Sequence, residues 1–282
     1  MSANDPVQKA EALKQLHSAA QPLVLVNVWD IASARIVEEA GFPAIATSSA
    51  GIAFAQGFPD GQKIKPARMF DVVAQIAQAV RVPVTADVEA GYGSRPEDAA
   101  RTARQVIEAG AVGMNFEDAT GNDEHPLFEL ALQLERIRAI RETCNQLRVP
   151  LVLNARTDVY LAQVGEPSAR YDETIRRLRA FRDAGADCVF VPGLRDAATI
   201  SRLVVDLACP VNILGGPGSP SISELAALGV KRISLGSGPM RVTLGLVRRL
   251  AAEVNSEGTY KAMEGAPSHA EMNSILRQNR KS

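Results

Sequence analysis

The chain has 282 residues, 46% hydrophobic and 22% charged, a length that suits either two average domains or one α/β barrel of about 250 residues. With 31 lysines and arginines against 32 aspartates and glutamates, it has neither the positive field of a nucleic-acid binder nor a polybasic membrane patch. No apolar run approaches the ~20 residues that span a bilayer, and Cys144, Cys188 and Cys209, few and scattered, argue against a disulfide scaffold or zinc knuckle and for a reducing cytoplasm.

Residues 1–21 are polar, lack the basic and apolar regions of a secretory signal, and predict a short surface helix. Eight apolar runs follow, near residues 22–28, 43–48, 82–88, 112–117, 149–156, 187–192, 209–214 and 231–236. Two patterns introduce them in alternation. In EEAGFPAIATSS (38–49), IEAGAVGMNFED (107–118), RDAGADCVFVPG (182–193) and LAALGVKRISLG (225–236), a helix-like stretch closes on glycine before the run begins. In the other four a proline stands just ahead of the run, where a strand needs no donor. The runs are continuous in Val, Ile and Leu, as parallel strands buried on both faces require.

Between the runs lie helical stretches with start signals. Asp30 caps the first, Ser94-x-x-Glu97 forms a capping box beside Pro96, and Ser221-x-x-Glu224 forms another. Eight strand–helix units predict a (β/α)8 barrel over an open doubly wound sheet, since no GxGxxG follows the first run and nothing marks a reversal of strand order. A helix near 239–254 ends the barrel, so residues 1–254 form one catalytic domain. Residues 255–282 form a C-terminal arm, with a polar connector and a last short helix capped by Ser268-x-x-Glu271; it is either a frayed tail or a segment that docks on a neighbouring subunit.

Barrel chemistry sits at the C-terminal ends of strands. Those ends carry Asn27, Trp29 and Asp30; Thr47, Ser48 and Ser49; Asp87 and Glu89; Asn115, Glu117 and Asp118; Asn154, Arg156 and Asp158; Pro192; Asn212; and Gly236-Ser237-Gly238. Strand alternation puts Asp87 with Glu89, Asn115 with Glu117, and Asn154 with Arg156 and Asp158. If Asp87, Glu89 and Glu117 face the mouth, three carboxylates share one small volume, and they ionise together only if a cation neutralises them. Oxygen ligands without His or Cys select a hard cation such as Mg²⁺. Taken one at a time, each acid reads rather as a helix cap or the partner of an arginine; three on adjacent strands read as a metal site.

Arg156 is the basic residue read at a strand end, and its planar fork suits a substrate carboxylate or phosphonate; a salt bridge to Asp158 or Glu117 is the alternative. No lysine ends a strand, which disfavours a Schiff-base aldolase. None of the three histidines, His17, His125 and His269, stands at a strand end, which disfavours His-ligated zinc or a His base. The glycines around Ser237 suit a phosphate cradle, but a tight turn explains them better.

DVEAGYG (87–93), NFED (115–118), NARTD (154–158) and TSSAGIAFAQGFPDG (47–61), in order along residues 20–250, resemble the isocitrate lyase/phosphoenolpyruvate mutase superfamily. The resemblance implies a Mg²⁺-dependent barrel that makes or breaks C–C or P–C bonds through an enolpyruvate-like intermediate. It implies a homotetramer, a dimer of dimers with a C-terminal helix exchanged between neighbours. Position by position, Asp87, Glu89 and Glu117 would hold Mg²⁺, or Mn²⁺ in its place. Ser48, Ser49 and Ala50 would donate to the substrate's carboxylate or oxyanion, Arg156 would bind its acidic group, Asp60 would lie near the reacting centre, and Asn212 would line the substrate site.

The chain also departs from the family. Many relatives carry aspartate where Glu89 stands. The KKCGH loop of the isocitrate and methylisocitrate lyases is replaced by ATGNDEHPLF (119–128), without a cysteine; Cys144 lies too far into the next helix to substitute, and Asp123 and His125 are expected at the surface. The lysine-bearing gating loop of the mutases is missing, and Pro192 replaces their strand-six histidine. The reading is a Mg²⁺-dependent lyase cleaving a C–C bond of a small 2-oxo or 2-hydroxy dicarboxylate. The alternatives are a P–C bond enzyme of the phosphonopyruvate hydrolase or carboxyphosphonoenolpyruvate mutase kind, and a metal-dependent 2-oxoacid binding protein with little turnover.

Overall fold

The computed structural model describes residues 5–277, so the ends of the predicted domain and arm, 1–4 and 278–282, lie outside the described residues. The first apolar run forms two strands, β1 (Leu23–Leu25) and β2 (Asn27–Val28), broken at Val26. The break closes the barrel. β2 pairs with β3 (Ile45–Thr47), and parallel pairing continues in chain order through β4 (Val84–Asp87), β5 (Gly113–Glu117), β6 (Val152–Arg156), β7 (Cys188–Val191), β8 (Val211–Leu214) and β9 (Arg232–Ser234). β9 then pairs with β1, aligning Leu23 with Arg232. Nine parallel strands thus realise the predicted eight runs, and the fold is the expected α/β barrel.

The inter-strand helices bury one face each against this sheet. They are α2 (Ile31–Glu39), α3 (Ser49–Ala55) and α4 (Pro66–Ala79), then α5 (Pro96–Glu108), α6 (Leu130–Leu147), α7 (Arg170–Asp183), α8 (Ala197–Leu207) and α9 (Ile222–Ala227). Ile45, Val84, Met114, Leu153, Val189, Ile213 and Ile233 from the strands share one core with Val73, Ile76, Ile137, Leu178 and Leu203 from the helices. The N-terminal helix, which is α1 in chain order (Pro6–Leu16), buries Ala10 and Leu13 against Leu23, Leu25, Val112 and Val152. It is a plug at the N-terminal end of the barrel.

The caps at Asp30 and Ser221 form as read: Asp30 Oδ1 accepts from Ser33 N (2.7 Å), and Glu224 Oε2 accepts from Ser221 N (2.7 Å). The box before α5 is displaced by one residue. Pro96 takes the first helical position, where its fixed φ and missing N–H are suited, so the cap falls on Arg95 and Asp98 rather than Glu97 accepts its amide (3.2 Å). After β9, α10 (Gly238–Glu257) stands away from the barrel, burying Met240 but leaving Val242 at 69% and Val247 at 56% exposure. α11 (His269–Arg277) turns back onto α2 of its own chain. Among the described residues no helix is long and apolar enough to cross a membrane.

Candidate active site

A cavity of about 240 Å³ opens inside the barrel toward the C-terminal strand ends. Ser48, Ser49, Ala50, Asp60, Asp87, Arg156 and Asn212 all line it, and Glu89 and Glu117 are buried beside it. The polar groups meet there because the strands are parallel: each delivers its last inward residues to one end.

Asp87 ends β4. Its Oδ2 accepts from Ser49 N (3.0 Å) and Ser49 Oγ (2.7 Å), and its Oδ1 from Asn115 Nδ2 (3.0 Å). Ser49 therefore gives both its donors to Asp87, not to open cavity. Ser48 Oγ is also engaged, accepting from Gly51 N (3.1 Å) at the start of α3. Ala50 sits in the first turn of that helix, where amides lack intrahelical partners. Asn212 is fully buried and exchanges hydrogen bonds with Ser234 (3.2 Å).

Arg156 is held from both sides. Its Nη1 meets Glu117 Oε2 at 2.8 Å, while Nε and Nη2 clasp Asp158 at 2.5 and 2.8 Å. Burial alone would lower its pKa, but Glu117 and Asp158 outweigh that and raise it, so the guanidinium stays charged. Burial pushes the Glu117 carboxyl up, against the pull of Arg156. Behind this pair, Asp118 accepts from Asp158 N (3.0 Å) and Thr157 Oγ1 (2.7 Å) and pairs with Arg177 (3.2 Å). Burial lifts Asp118 to about 6, with Arg177 opposing.

Glu89 reaches the cluster by a route that strand alternation does not describe. β4 stops at Asp87, and Glu89 has φ +51°, so the parity argument that paired the two acids fails there. A left-handed turn swings the residue back instead. Glu117 N donates to its carbonyl (3.1 Å), and its Oε2 accepts from Gln62 N (2.6 Å). Burial, then Asp87 and Asp60, raise Glu89 to about 8. Gly91 completes the turn at φ +83°; a Cβ there would lie 2.7 Å from the Phe116 ring. Arg136, fully buried between the Phe116 and Phe128 rings, donates to the carbonyls of Ala90 and Gly93 and holds the turn from behind. Asp60, exposed at the rim, is raised by partial loss of water and by Asp87.

The donor chemistry fits a hard divalent cation. Asp87, Glu89 and Glu117 supply only oxygens, and Glu89 Oε1 is buried with no hydrogen-bond partner. Their side chains are turned to protein partners, and among the described residues no three acids, histidines or cysteines gather round one point. A cation held here would take Glu89 Oε1 and offset the burial and the repulsion from Asp87 and Asp60 that raise its pKa.

Sequence reasoning passed over three residues. Gln62 ties the 57–61 loop to the Glu89 turn, its Oε1 also accepting from Tyr92 N (2.6 Å). Arg232 lines the cavity from the start of β9, so Arg156 is not the sole strand arginine at the site; its signal was its parity with Ser234 and Gly236. Arg241, from the first turns of α10, lines the mouth. The 119–128 loop folds into a tied hairpin, with Thr120 N donating to Pro126 O (2.9 Å) and Phe128 N to Asp118 O (2.8 Å). Asp123 and His125 are exposed and do not line the cavity.

A family model for phosphoenolpyruvate phosphomutase matches residues 13–255. An uncharacterised protein of Mycobacterium tuberculosis is 35% identical over 241 residues, covering 85% of this chain and 87% of that one. The 2-methylisocitrate lyase of Bacillus subtilis is 31% identical over 66% of this chain and 60% of the lyase, and an oxaloacetate decarboxylase of Rhodopseudomonas palustris 29% over 80% and 77%. Among solved structures, a Burkholderia cenocepacia protein provisionally described as a lyase/mutase superposes at TM-score 0.91 and 39% identity over 96% of each chain. Oxaloacetate acetylhydrolase in complex with its product oxalate superposes at 0.85 and 28% identity over 96% and 95%.

Proposed function

This chain belongs to the isocitrate lyase/phosphoenolpyruvate mutase superfamily, whose members include carbon–carbon lyases; from that premise we propose that it cleaves a C–C bond of a small 2-oxo or 2-hydroxy dicarboxylate with Mg²⁺ or Mn²⁺. One observation carries the reading: Arg156, clasped by Glu117 and Asp158, lines the same 240 Å³ cavity as Asp87 and Asp60. Asp87, Glu89 and Glu117 would hold the cation, whose chemistry is to stabilise an enolate oxygen as the bond breaks. Arg156 orients the acidic head of the substrate, already locked in angle by its two carboxylate partners. Of the Ser48–Ala50 turn, the Ala50 amide and the Ser48 hydroxyl would donate to the substrate, since Ser49 gives its own donors to Asp87, and Asp60, at the open rim of the cavity, would move a proton.

The reading extends to assembly. A 20-residue helix exposing Val242, Leu244, Leu246, Val247 and Val254 supports association into a homotetramer, a dimer of dimers; exchange of the C-terminal segment between neighbours would replace the contact that α11 makes with α2 of its own chain by the same contact on a neighbour. The test of the chemistry is incubation with Mg²⁺ and oxaloacetate, methylisocitrate, dimethylmalate or phosphonopyruvate, with pyruvate as readout. Pyruvate from one of the first three is expected. Pyruvate only from phosphonopyruvate overturns the C–C reading in favour of P–C chemistry. No turnover with tight, metal-dependent oxalate binding favours a 2-oxoacid binding protein.

A further inference from the structure

The hairpin at 119–128 supplies no residue to the cavity wall, yet its last side chain is built into the back of the Glu89 turn. Strand parity turns Asn115 and Glu117 into the barrel and Phe116 out of it, toward α6. From α6 the Arg136 guanidinium enters between two rings, 4.7 Å from the centre of Phe116 and 4.1 Å from that of Phe128. Phe116 in turn abuts Gly91, where a Cβ would come within 2.7 Å of the ring. The order is therefore Phe128 ring, guanidinium, Phe116 ring, Glu89 turn.

The hydrogen bonds of Arg136 run the same way. Its Nη2 donates to the carbonyls of Gly93 (2.9 Å) and Ala90, and its Nη1 to Gln133 Oε1 (2.7 Å). Gln133 Nε2 donates onward to Glu117 O (3.1 Å). One guanidinium thus holds the turn that carries Glu89 and, through Gln133, the strand end that carries Glu117. Burial lowers its pKa to about 10, with Asp118, Asp98 and Glu117 opposing, so it is charged at neutral pH. Ring faces and carbonyls meet that charge, and such contacts are strong only where water is excluded and the geometry is kept. Without the Phe128 face the guanidinium is free to tilt, and the turn with it.

The backbone of Phe128 is tied separately. Its N donates to Asp118 O (2.8 Å), and its O accepts from Arg177 Nη1 (2.9 Å). Phe128 is only half-buried, so a change confined to its ring leaves the Asp118–Asp158 side of the site as it is.

We propose that Arg136 is the positioning residue of Glu89 and Glu117, and that the 119–128 hairpin sets it through the Phe128 ring. The inference rests on the reading of Asp87, Glu89 and Glu117 as cation ligands, and adds a control point outside the cavity.

The test compares Phe128→Leu with Phe128→Tyr, which keeps an aromatic face, by calorimetric Mn²⁺ titration and amide hydrogen exchange. Phe128→Leu is expected to weaken Mn²⁺ binding about tenfold, the lower end of what groups supporting metal ligands are worth. The Gly91 and Tyr92 amides should exchange faster, while the Asp158 amide, held by Asp118, keeps its parent rate. Phe128→Tyr is expected to match the parent in both readouts. Arg136→Lys keeps the charge, loses the flat fork, and should follow Phe128→Leu. Unchanged affinity and exchange in Phe128→Leu overturn the proposal, as does faster exchange that reaches Asp158 equally, which is general loosening. If the parent itself binds no Mn²⁺, the cation reading falls, and the exchange comparison alone decides whether Arg136 positions the turn.

Discussion

The two ends of the barrel interior solve the same electrostatic problem in opposite ways. At the mouth, Asp87, Glu89, Glu117, Asp158 and Asp60 crowd round Arg156, and each engaged carboxylate is answered by an arginine, an amide or a serine. At the floor, Arg232 stands with a neutral histidine for company, and α1 seals it from solvent. An excess of negative charge beside water is tolerable because it can recruit a cation or bind a proton. A cation without an ion-pair partner in a sealed floor has no such relief, and its desolvation is offset only by the fields of Cys188 and Asp87 and by the His17 lone pair. The difference teaches that a polar lining need not be a uniform one: acceptors dominate one end and a charged donor the other.

The largest effect that separates the two ends is expected at Arg156. Arg156→Lys keeps the charge but loses the fork that spans Glu117 and Asp158, and kcat/KM should fall by about 10²–10³, the loss typical of one preorganised transition-state donor. A variant with near-normal steady-state kinetics would show that the ion-pair network is only structural. The cation is the next break point. Asp87→Ala is expected to abolish Mg²⁺ or Mn²⁺ binding by calorimetry while circular dichroism remains that of the parent; undiminished affinity would move the metal elsewhere.

The floor has its own signature in acid. His17 titrates near 4 in the folded protein against 6.5 unfolded, so below 6.5 the unfolded chain takes up a proton that the native state refuses. Stability contributed by the neutral ring is complete above pH 6.5 and drains away as pH falls toward 4, by roughly 3 kcal/mol at most. Urea unfolding at pH 7 and pH 4.5 measures it. His17→Gln, which keeps an acceptor for Arg232 and a donor for Leu13 O, should flatten the difference; an unchanged pH slope would acquit His17. The smallest effect returns to the mouth. Gly91→Ala places a methyl against Phe116 at a positive φ and should cost about 1–3 kcal/mol in chemical denaturation, with metal affinity falling in parallel because Glu89 rides on that turn.

Local pattern carried the reading a long way here. Asp87, Asn115, Asn154 and Arg156 were legible because they stand inside regular strands, where alternation assigns a face. Glu89 arrived in the right place for a reason that alternation misses, since its positive φ lies outside any strand. Gln62 was hidden in a loop whose docking depends on that same turn. Arg232 was hidden by position: reading only the C-terminal ends overlooks a long side chain that enters the cavity from below. The capping box at Ser94 slipped by one residue because Pro96 competes for the first helical position.

What the sequence by itself determined is the order of the strands, the glycine and proline stops, and the identity of the acids delivered to one end, because periodicity and capping are short-range properties of the chain. The tertiary structure alone decided that the first run would split to close the ring, that Glu117 and Asp158 would share Arg156, and that Asp87 would set the amide of Asn154 through Asn115. Those outcomes join residues as far apart in the chain as Leu23 and Arg232, 209 positions. Charges and hydrogen bonds are chosen by distance in space, and only the closed barrel makes those distances short.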